Sequence, residues 1–558
     1  MDKDKAERMN SYFTTIGKNL INSLLLPSGH AMVDGNITSS LIPAPSFSLL
    51  TNQVVEEKVN RLKANKSSGP DEVSPKLLKL AGNAIVPALT DIFNYSIEHR
   101  TVFSSWKTAR LTPIFKKDDQ TDSGNYRPVS LLSVPSKILE AVVNDRLVQH
   151  VFRDNQLITE RQWAYPRGYS TELLLIHLTE IWRRAVDSGR VVAVAFVDFR
   201  KAFDSVSHEI LVKKLEYRFG VTGPLLDWIK DYLSGRMQFT VLNGVKSDIL
   251  PVTTGIPQGS VLGPTLFTLF TNDLPAGISE RDLYMYADNT SIYCIGENAD
   301  AAVAALNNAL LEVQRWCIEN KLTPHPTKSE AMVLSRQAII RPLPPILLGS
   351  SVLNYVTKSR LLGMSVDDKL SWIPQMLELK KNFSNKLDLL KRSRFLPRKV
   401  LLRFYFSVIL PSVKYGIVLW GSCTNSDLLK SVNSLHCRAA RIIFNLPRDM
   451  SSTEVLTFAQ WQSMSLHYKI DILKIFHKGY NDELPALLSE SIYTRRRNTF
   501  SLRGKDSLVV PRFETRYLKN SLAHRGSVLW NMVTFKEHNI PHLSKKRPES
   551  SNKIEGLC

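Results

Sequence analysis

Apolar residues run unbroken from 191 to 197 and stop at Asp198, and a shorter run over 283–287 stops at Asp288. Runs of this length bounded by polar turn residues predict buried strands, each delivering one aspartate at its C-terminal tip. Ser291-Ile292-Tyr293-Cys294 resumes a strand pattern just beyond, so Asp288 is expected in a tight hairpin turn. Two such tips side by side would place two carboxylates about one divalent ion's width apart. That arrangement suits Mg2+, which takes one or two carboxylates, keeps waters and accepts substrate phosphates.

Elsewhere the apolar period shifts towards 3.6. It predicts helices over 54–62, 74–80, 84–98, 171–186, 261–270, 301–322, 376–394, 401–405, 428–444 and 466–476. Trp316 and Leu311 are expected in the core. Residues 106–117 alternate as a strand that carries Lys116 and Lys117 at its end, and Asn125-Tyr126-Arg127-Pro128 begins the next. Between the two aspartates, residues 254–260 form a loop with Gly255 and Gly259 on either side of Pro257-Gln258, where backbone can approach a ligand closely. The first 50 residues combine an amphipathic piece (Tyr12, Phe13, Ile16, Leu20) with a Pro/Ser-rich linker around Ile42-Pro43-Ala44-Pro45-Ser46, and are expected to be poorly ordered.

Charge adds a partner class. Lys+Arg number 72 against 52 Asp+Glu, a net charge of +20, which is the electrostatic footprint of a nucleic-acid binder. After about residue 481 the chain turns polar, and Arg495-Arg496-Arg497 and Lys545-Lys546-Arg547 permit RNA binding or a nuclear signal. The cysteines Cys294, Cys317, Cys423, Cys437 and Cys558 form no CxxC pair, which argues against a disulfide framework or zinc knuckle and for a reducing compartment. The charged start, Met1-Asp2-Lys3-Asp4-Lys5, is no secretory signal, and no apolar run approaches the ~20 residues of a membrane span. The expectation is a soluble protein of nucleus and cytoplasm with no membrane partner.

Three segments, "DFRKAFDSVSHEIL" from Asp198, "TTGIPQGSVLGPTLFTLFTNDLP" from Thr253 and "YADN" from Tyr286, stand in an order that resembles the reverse transcriptases of non-LTR (LINE-type) retrotransposons of the jockey and CR1 groups. Further similar blocks are "KSSGPDEVSPKLLK" at Lys66, "LLGMSVDDKLSW" at Leu361 and "LPSVKYGIVLWG" at Leu410, so the resemblance covers roughly residues 10 to 450. It implies an α+β right-hand polymerase fold. The expected parts are an N-terminal segment and linker (1–50), fingers and palm with an antiparallel sheet (51–375), a helical thumb (376–480) and a basic C-terminal region (481–558).

The resemblance also implies roles. Asp198 and Asp288 would bridge two Mg2+ ions (Mn2+ possible), with the backbone carbonyl of Phe199 as a further ligand. Lys116 and Arg127 would contact the triphosphate, Phe203 would gate against a ribose 2'-hydroxyl, and Gln258 with Gly259 would pack on the dNTP and template base. Lys328 would protonate the leaving pyrophosphate. Asp204 is expected to orient local structure, the hairpin over 361–372 to grip the primer, and Lys391, Arg392, Arg394, Arg398 and Lys399 to track a template-primer duplex. Three positions depart from the family pattern: Asn289 stands for its second Asp, Pro166 for an Arg that Arg167 could replace, and His325 for the commoner Asn.

The implied activity is RNA-directed DNA synthesis from a primer 3'-hydroxyl, with element RNA as template, a nicked target DNA end as primer and dNTPs as substrates. Elements of this type usually carry an apurinic-type endonuclease upstream, for which these residues have no room, so a separate endonuclease is expected to nick the target. Because Asn289 brings no charge, a catalytically inactive nucleic-acid-binding remnant is the alternative, and a splicing maturase of group II intron type is a third reading that the "LPSVKYGIVLWG" segment disfavours.

Overall fold

The central sheet explains the unbroken apolar run. In the strand β3 (Val191–Val197), Val191, Ala193, Ala195 and Val197 enter one hydrophobic core while Val192 and Val194 enter a second on the opposite face. A strand covered on both sides has no polar face to alternate with. This computed structural model describes residues 2–22, 42–116, 118–278, 282–338, 342–493 and 507–538. Lys117, Cys558, the arginines 495–497 and the basic run 545–547 lie outside the described residues.

The hairpin β4 (Leu283–Tyr286) and β5 (Asn289–Gly296) pairs antiparallel to β3 through β5, and β6 (Glu330–Leu334) pairs antiparallel on the other edge. The helices α1 (Thr171–Asp187) and α2 (Ala299–Glu319) lie against β3 on its two sides. On α2 Trp316 is buried as predicted, but Leu311 points to solvent at 61 % exposure: it falls on the outer face of the helix.

A second sheet stands beyond this palm. Its strands β7 (Thr108–Phe115) and β8 (Tyr126–Leu131) pair antiparallel, and β7 runs parallel to β9 (Arg236–Leu242), which also carries β10 (Leu250–Val252). Helices Asn52–Asn60, Pro75–Ala81 and Val86–Glu98 fall where the period predicts. Of the first 50 residues, expected to be poorly ordered, the part from 2 to 22 does otherwise. Residues Asp2–Asn22 form one helix, α3, whose Met9 and Phe13 are buried with Leu111 and Tyr126 of the second sheet. Its fully buried Asn10 donates to the Asp248 carbonyl at 2.9 Å. The segment is therefore part of the fingers.

The hairpin expected over 361–372 begins earlier. Its strands are Lys358–Leu361 and Met364–Asp367, and Asp367 then accepts the Ser371 and Trp372 N–H groups, each at 3.0 Å, to start the helix Ile373–Arg392. Helices Ser426–Phe444 and Met464–Tyr480 continue the thumb. Lys391, Arg392, Arg394, Arg398 and Lys399 are exposed, although Arg394 donates to Asn445 at 2.7 Å and Arg398 lies over the Phe444 ring. The polar region after 481 also packs back: Tyr517, Leu522 and Ala523 are buried in the same core as α1. Together these parts make an α+β right hand of fingers, palm and thumb.

Candidate active site

Strand register brings the two aspartates together. Val197 pairs with Thr290 and Tyr286 with Asn289, so Asp198 leaves β3 beside the Ala287-Asp288 turn. The main chain at Asp198 is held from the segment before β6: its N–H donates to Ser329 Oγ at 3.1 Å and its carbonyl accepts the His325 N–H at 2.8 Å. His325 makes that contact with its backbone, which any residue type supplies. The Asp288 turn is held by Gln162, whose Oε1 accepts the Ala287 N–H at 3.2 Å and the Ala164 N–H at 3.0 Å. Asn289 is exposed and its amide donates to Asp288 Oδ1 at 3.3 Å.

Asp198 and Asp288 line a cleft of about 880 Å3 that also holds Lys116, Arg127, Phe203, Gln258, Gly259 and Lys328. Lys116 follows β7 and its N–H donates to the Asn125 carbonyl at 2.9 Å, while Arg127 lies across the ladder from Ile114. Phe203 stacks on Phe267 with centroids 4.5 Å apart, which fixes its ring at the cleft. The loop with the two glycines is clamped between palm and fingers. Gly259, at φ +132°, lies so close to the Ser130 carbonyl that a Cβ would overlap it, and the Gln258 carbonyl accepts the Ser130 N–H at 2.8 Å. Of the template-side segment, Arg167 is exposed and does not line this cleft.

Burial raises the carboxyls of both Asp198 and Asp288, and the Asp198 charge raises Asp288 further; Lys328 and Lys116 draw Asp198 back down, and Arg127 and Lys116 act likewise on Asp288. Lys116 is lowered by burial and by the neighbouring Arg127 and Lys328. Two carboxylates that repel each other are an oxygen donor pair that fits a hard divalent cation. Among the described residues no group of three or more His, Cys, Asp or Glu side chains could hold a metal.

Asp204 does not line this cleft. It accepts Gln258 Nε2 at 3.0 and 3.2 Å, and burial pushes its carboxyl up to about 6. A carboxyl raised on folding stabilises the fold when protonated, below about pH 4, and that contribution is lost as pH rises through about 6. Asp204→Asn is therefore expected to be more stable than wild type at pH 8, by ~1–3 kcal/mol, with the gain vanishing towards pH 4. Urea unfolding at a series of pH values measures it; a gain that does not depend on pH would sink the assignment.

Several residues of the site carry no sequence signal. Lys201 Nζ donates to the Gly124 and Tyr126 carbonyls, both at 3.3 Å, and so ties the loop after Asp198 to the fingertip. Glu140, 1 % exposed, accepts Ser260 Oγ and the Val261 N–H, both at 2.8 Å, and anchors the chain just beyond Gly259. Each lies far along the chain from its partner, so no local pattern marks it.

Residues 114–366 match the family described as reverse transcriptase (RNA-dependent DNA polymerase), and with the fold and paired aspartates above, this chain carries a reverse transcriptase domain. Such a domain works with divalent metal. Its homologues are the polymerases of non-LTR retrotransposons. The chain is 26 % identical over 454 residues to the probable RNA-directed DNA polymerase from transposon BS of Drosophila melanogaster, covering 79 % of this chain and 49 % of that protein. It is 26 % identical over 425 residues to the RNA-directed DNA polymerase from mobile element jockey of the same fly, covering 73 % and 45 %. Against the Pol polyprotein of type-1 retrotransposable element R1 from Bradysia coprophila the identity is 26 % over 386 residues, covering 66 % and 36 %. The chain thus spans about half the length of the first two relatives. No described helix is long and apolar enough to cross a membrane.

Proposed function

We propose that this chain is an RNA-directed DNA polymerase that copies the RNA of a non-LTR retrotransposon onto a DNA primer, such as a nicked target end. The observation that carries the reading is the register that sets Asp198 beside Asp288 in one cleft with Lys116, Arg127 and Lys328. Asp198, Asp288 and the Phe199 carbonyl would hold Mg2+ or Mn2+, two ions when loaded. Bound there, the metal supplies charge stabilisation for the attacking and departing oxygens.

The chain's own residues do the rest. Lys116 gives a point charge and Arg127 a bidentate fork for the triphosphate of a dNTP. Gln258, held by Asp204, and Gly259, held against Ser130, set the floor for the nucleotide and template base. Phe203, braced by Phe267, would be the ring that clashes with a ribose 2'-hydroxyl. The primer 3'-oxygen attacks the α-phosphorus and loses its proton, the α–β bridging P–O bond breaks, and Lys328 gives a proton to the departing pyrophosphate.

RNA-templated primer extension by the purified chain tests this, and templated, metal-dependent incorporation is the expected result. A chain that binds template-primer and incorporates nothing in Mg2+ or Mn2+ is the inactive remnant instead. The Asn289 amide partners Asp288 without adding charge. Asn289→Asp is therefore expected to extend primers several-fold faster at limiting Mg2+, an added attraction on the order of 1 kcal/mol. The difference should close at saturating Mg2+; equal rates at all Mg2+ concentrations would refute the charge argument.

A further inference from the structure

The helix α3 carries two neighbouring stripes. Met9, Phe13 and Gly17 recur every four residues and face the protein: Met9 and Phe13 enter the fingers core, and Gly17 meets the loop after Asp198. A Cβ at Gly17 would overlap the Asp204 carbonyl and lie 2.7 Å from Thr254 Oγ1, so only glycine allows this approach. The second stripe, Tyr12, Ile16 and Leu20, lines the same cleft as Asp198, Lys116 and Lys328.

An apolar stripe has a geometric consequence in a cleft that holds Lys116, Arg127, Arg200, Lys201 and Lys328 beside Asp118, Asp122, Asp198 and Asp288. Lys201 Nζ lies 5.5 Å from the Tyr12 ring centroid while it holds the fingertip carbonyls of Gly124 and Tyr126. At its far end α3 meets the palm, where Thr323 Oγ1 donates to the Leu20 carbonyl at 3.5 Å. The helix therefore touches both fingers and palm, and its cleft-facing side lines the same cleft as Asp198 and Asp288. Charge complementarity selects the occupant: Lys116, Arg127, Lys201 and Lys328 converge on a polyanion of triphosphate size, not on an apolar partner.

We infer that α3 completes the nucleotide pocket, with Tyr12, Ile16 and Leu20 as its wall against the incoming dNTP and Gly17 setting how close that wall stands. The inference rests on the polymerase reading and adds a segment outside residues 114–366 to the substrate site. By fixing fingertip to catalytic loop, the wall keeps the cleft narrow before the nucleotide arrives, so less ordering is required on binding.

The test is equilibrium dNTP binding, with chemistry blocked. Full-length wild type, Tyr12→Ala, Ile16→Ala and Gly17→Val are each mixed with a dideoxy-terminated primer on an RNA template and titrated with the complementary dNTP in Mg2+. The readout is the fraction of complex that resists competitor DNA. The apparent dNTP Kd is expected to rise ~10-fold in Tyr12→Ala and Gly17→Val, because displacing the wall by about an ångström misplaces the triphosphate, while the Kd for template-primer stays as in wild type. Should Gly17→Val fail to fold, the two cleft-side variants carry the test. Unchanged dNTP affinity in them, or a parallel loss of template-primer affinity, overturns the inference while leaving the polymerase reading intact. Failure of wild type itself to form the dNTP complex removes both.

Discussion

Replacing Asp198 by Ala is expected to abolish primer extension on an RNA template, a fall of ~1,000-fold or more, and to leave template-primer binding in place. The magnitude follows from removing one of the two carboxylates proposed to hold the metal, worth several kcal/mol of transition-state charge stabilisation. The fold should survive. Asp198 is fixed through its main chain by Ser329 and His325, contacts that Ala retains. Binding should survive as well, because the lost charge is negative and Lys116, Arg127, Lys201 and Lys328 remain around the cleft. Rates from single-nucleotide extension and a template-primer Kd measured on the same preparation check both halves. Residual extension within tenfold of wild type would show that Asp198 is not the metal-holding carboxylate.

Arg183→Ala should lower the stability of the whole protein by ~2–4 kcal/mol, because two buried carbonyls lose their donor at ~1–3 kcal/mol each. Arg183 is 3 % exposed on α1, donates to the Leu370 carbonyl at 2.7 Å and the Tyr517 carbonyl at 3.1 Å, and stands one turn from the buried Glu180. Glu180 in turn accepts the Leu522 and Ala523 N–H groups, at 2.5 and 3.2 Å, and Asp187 accepts those of Glu514 and Thr515 at 2.9 and 2.8 Å. This polar stripe is how the palm receives the C-terminal region. Without the guanidinium, Glu180 keeps a desolvated charge with one partner fewer, and the 507–533 segment loses its hold. Urea unfolding measures the loss, and limited proteolysis should degrade the C-terminal region faster than in wild type. A loss below ~1 kcal/mol would mean that this stripe relaxes around the deletion.

Local pattern was enough for the catalytic strands. The run 191–197 is β3 to the residue, and the second run ends in the hairpin turn that carries Asp288. Both are legible because burial on two faces and a turn-forming Asp leave marks within a few residues. The stripe Glu180, Arg183 and Asp187 shows the opposite case. By composition these are solvent-facing charges on an amphipathic helix, and they become interior only because 507–523 folds over them. The same holds for Leu311, apolar in a helical period and yet exposed, since nothing packs on that side of α2.

What the sequence by itself determined is the pair of strand-tip aspartates, the glycine-flanked loop between them and the basic balance of the chain. Each is a matter of residue type at short spacing, where sterics, turn preference and charge act locally. Only the tertiary structure decided that Asp2–Asn22 is a wall of the cleft instead of a loose end, that Gln162 and Glu140 hold the active loops, and that the C-terminal region locks onto α1. Those contacts join residues more than a hundred positions apart. They depend on which surfaces the finished sheets leave for covering, and no short stretch of chain carries that information.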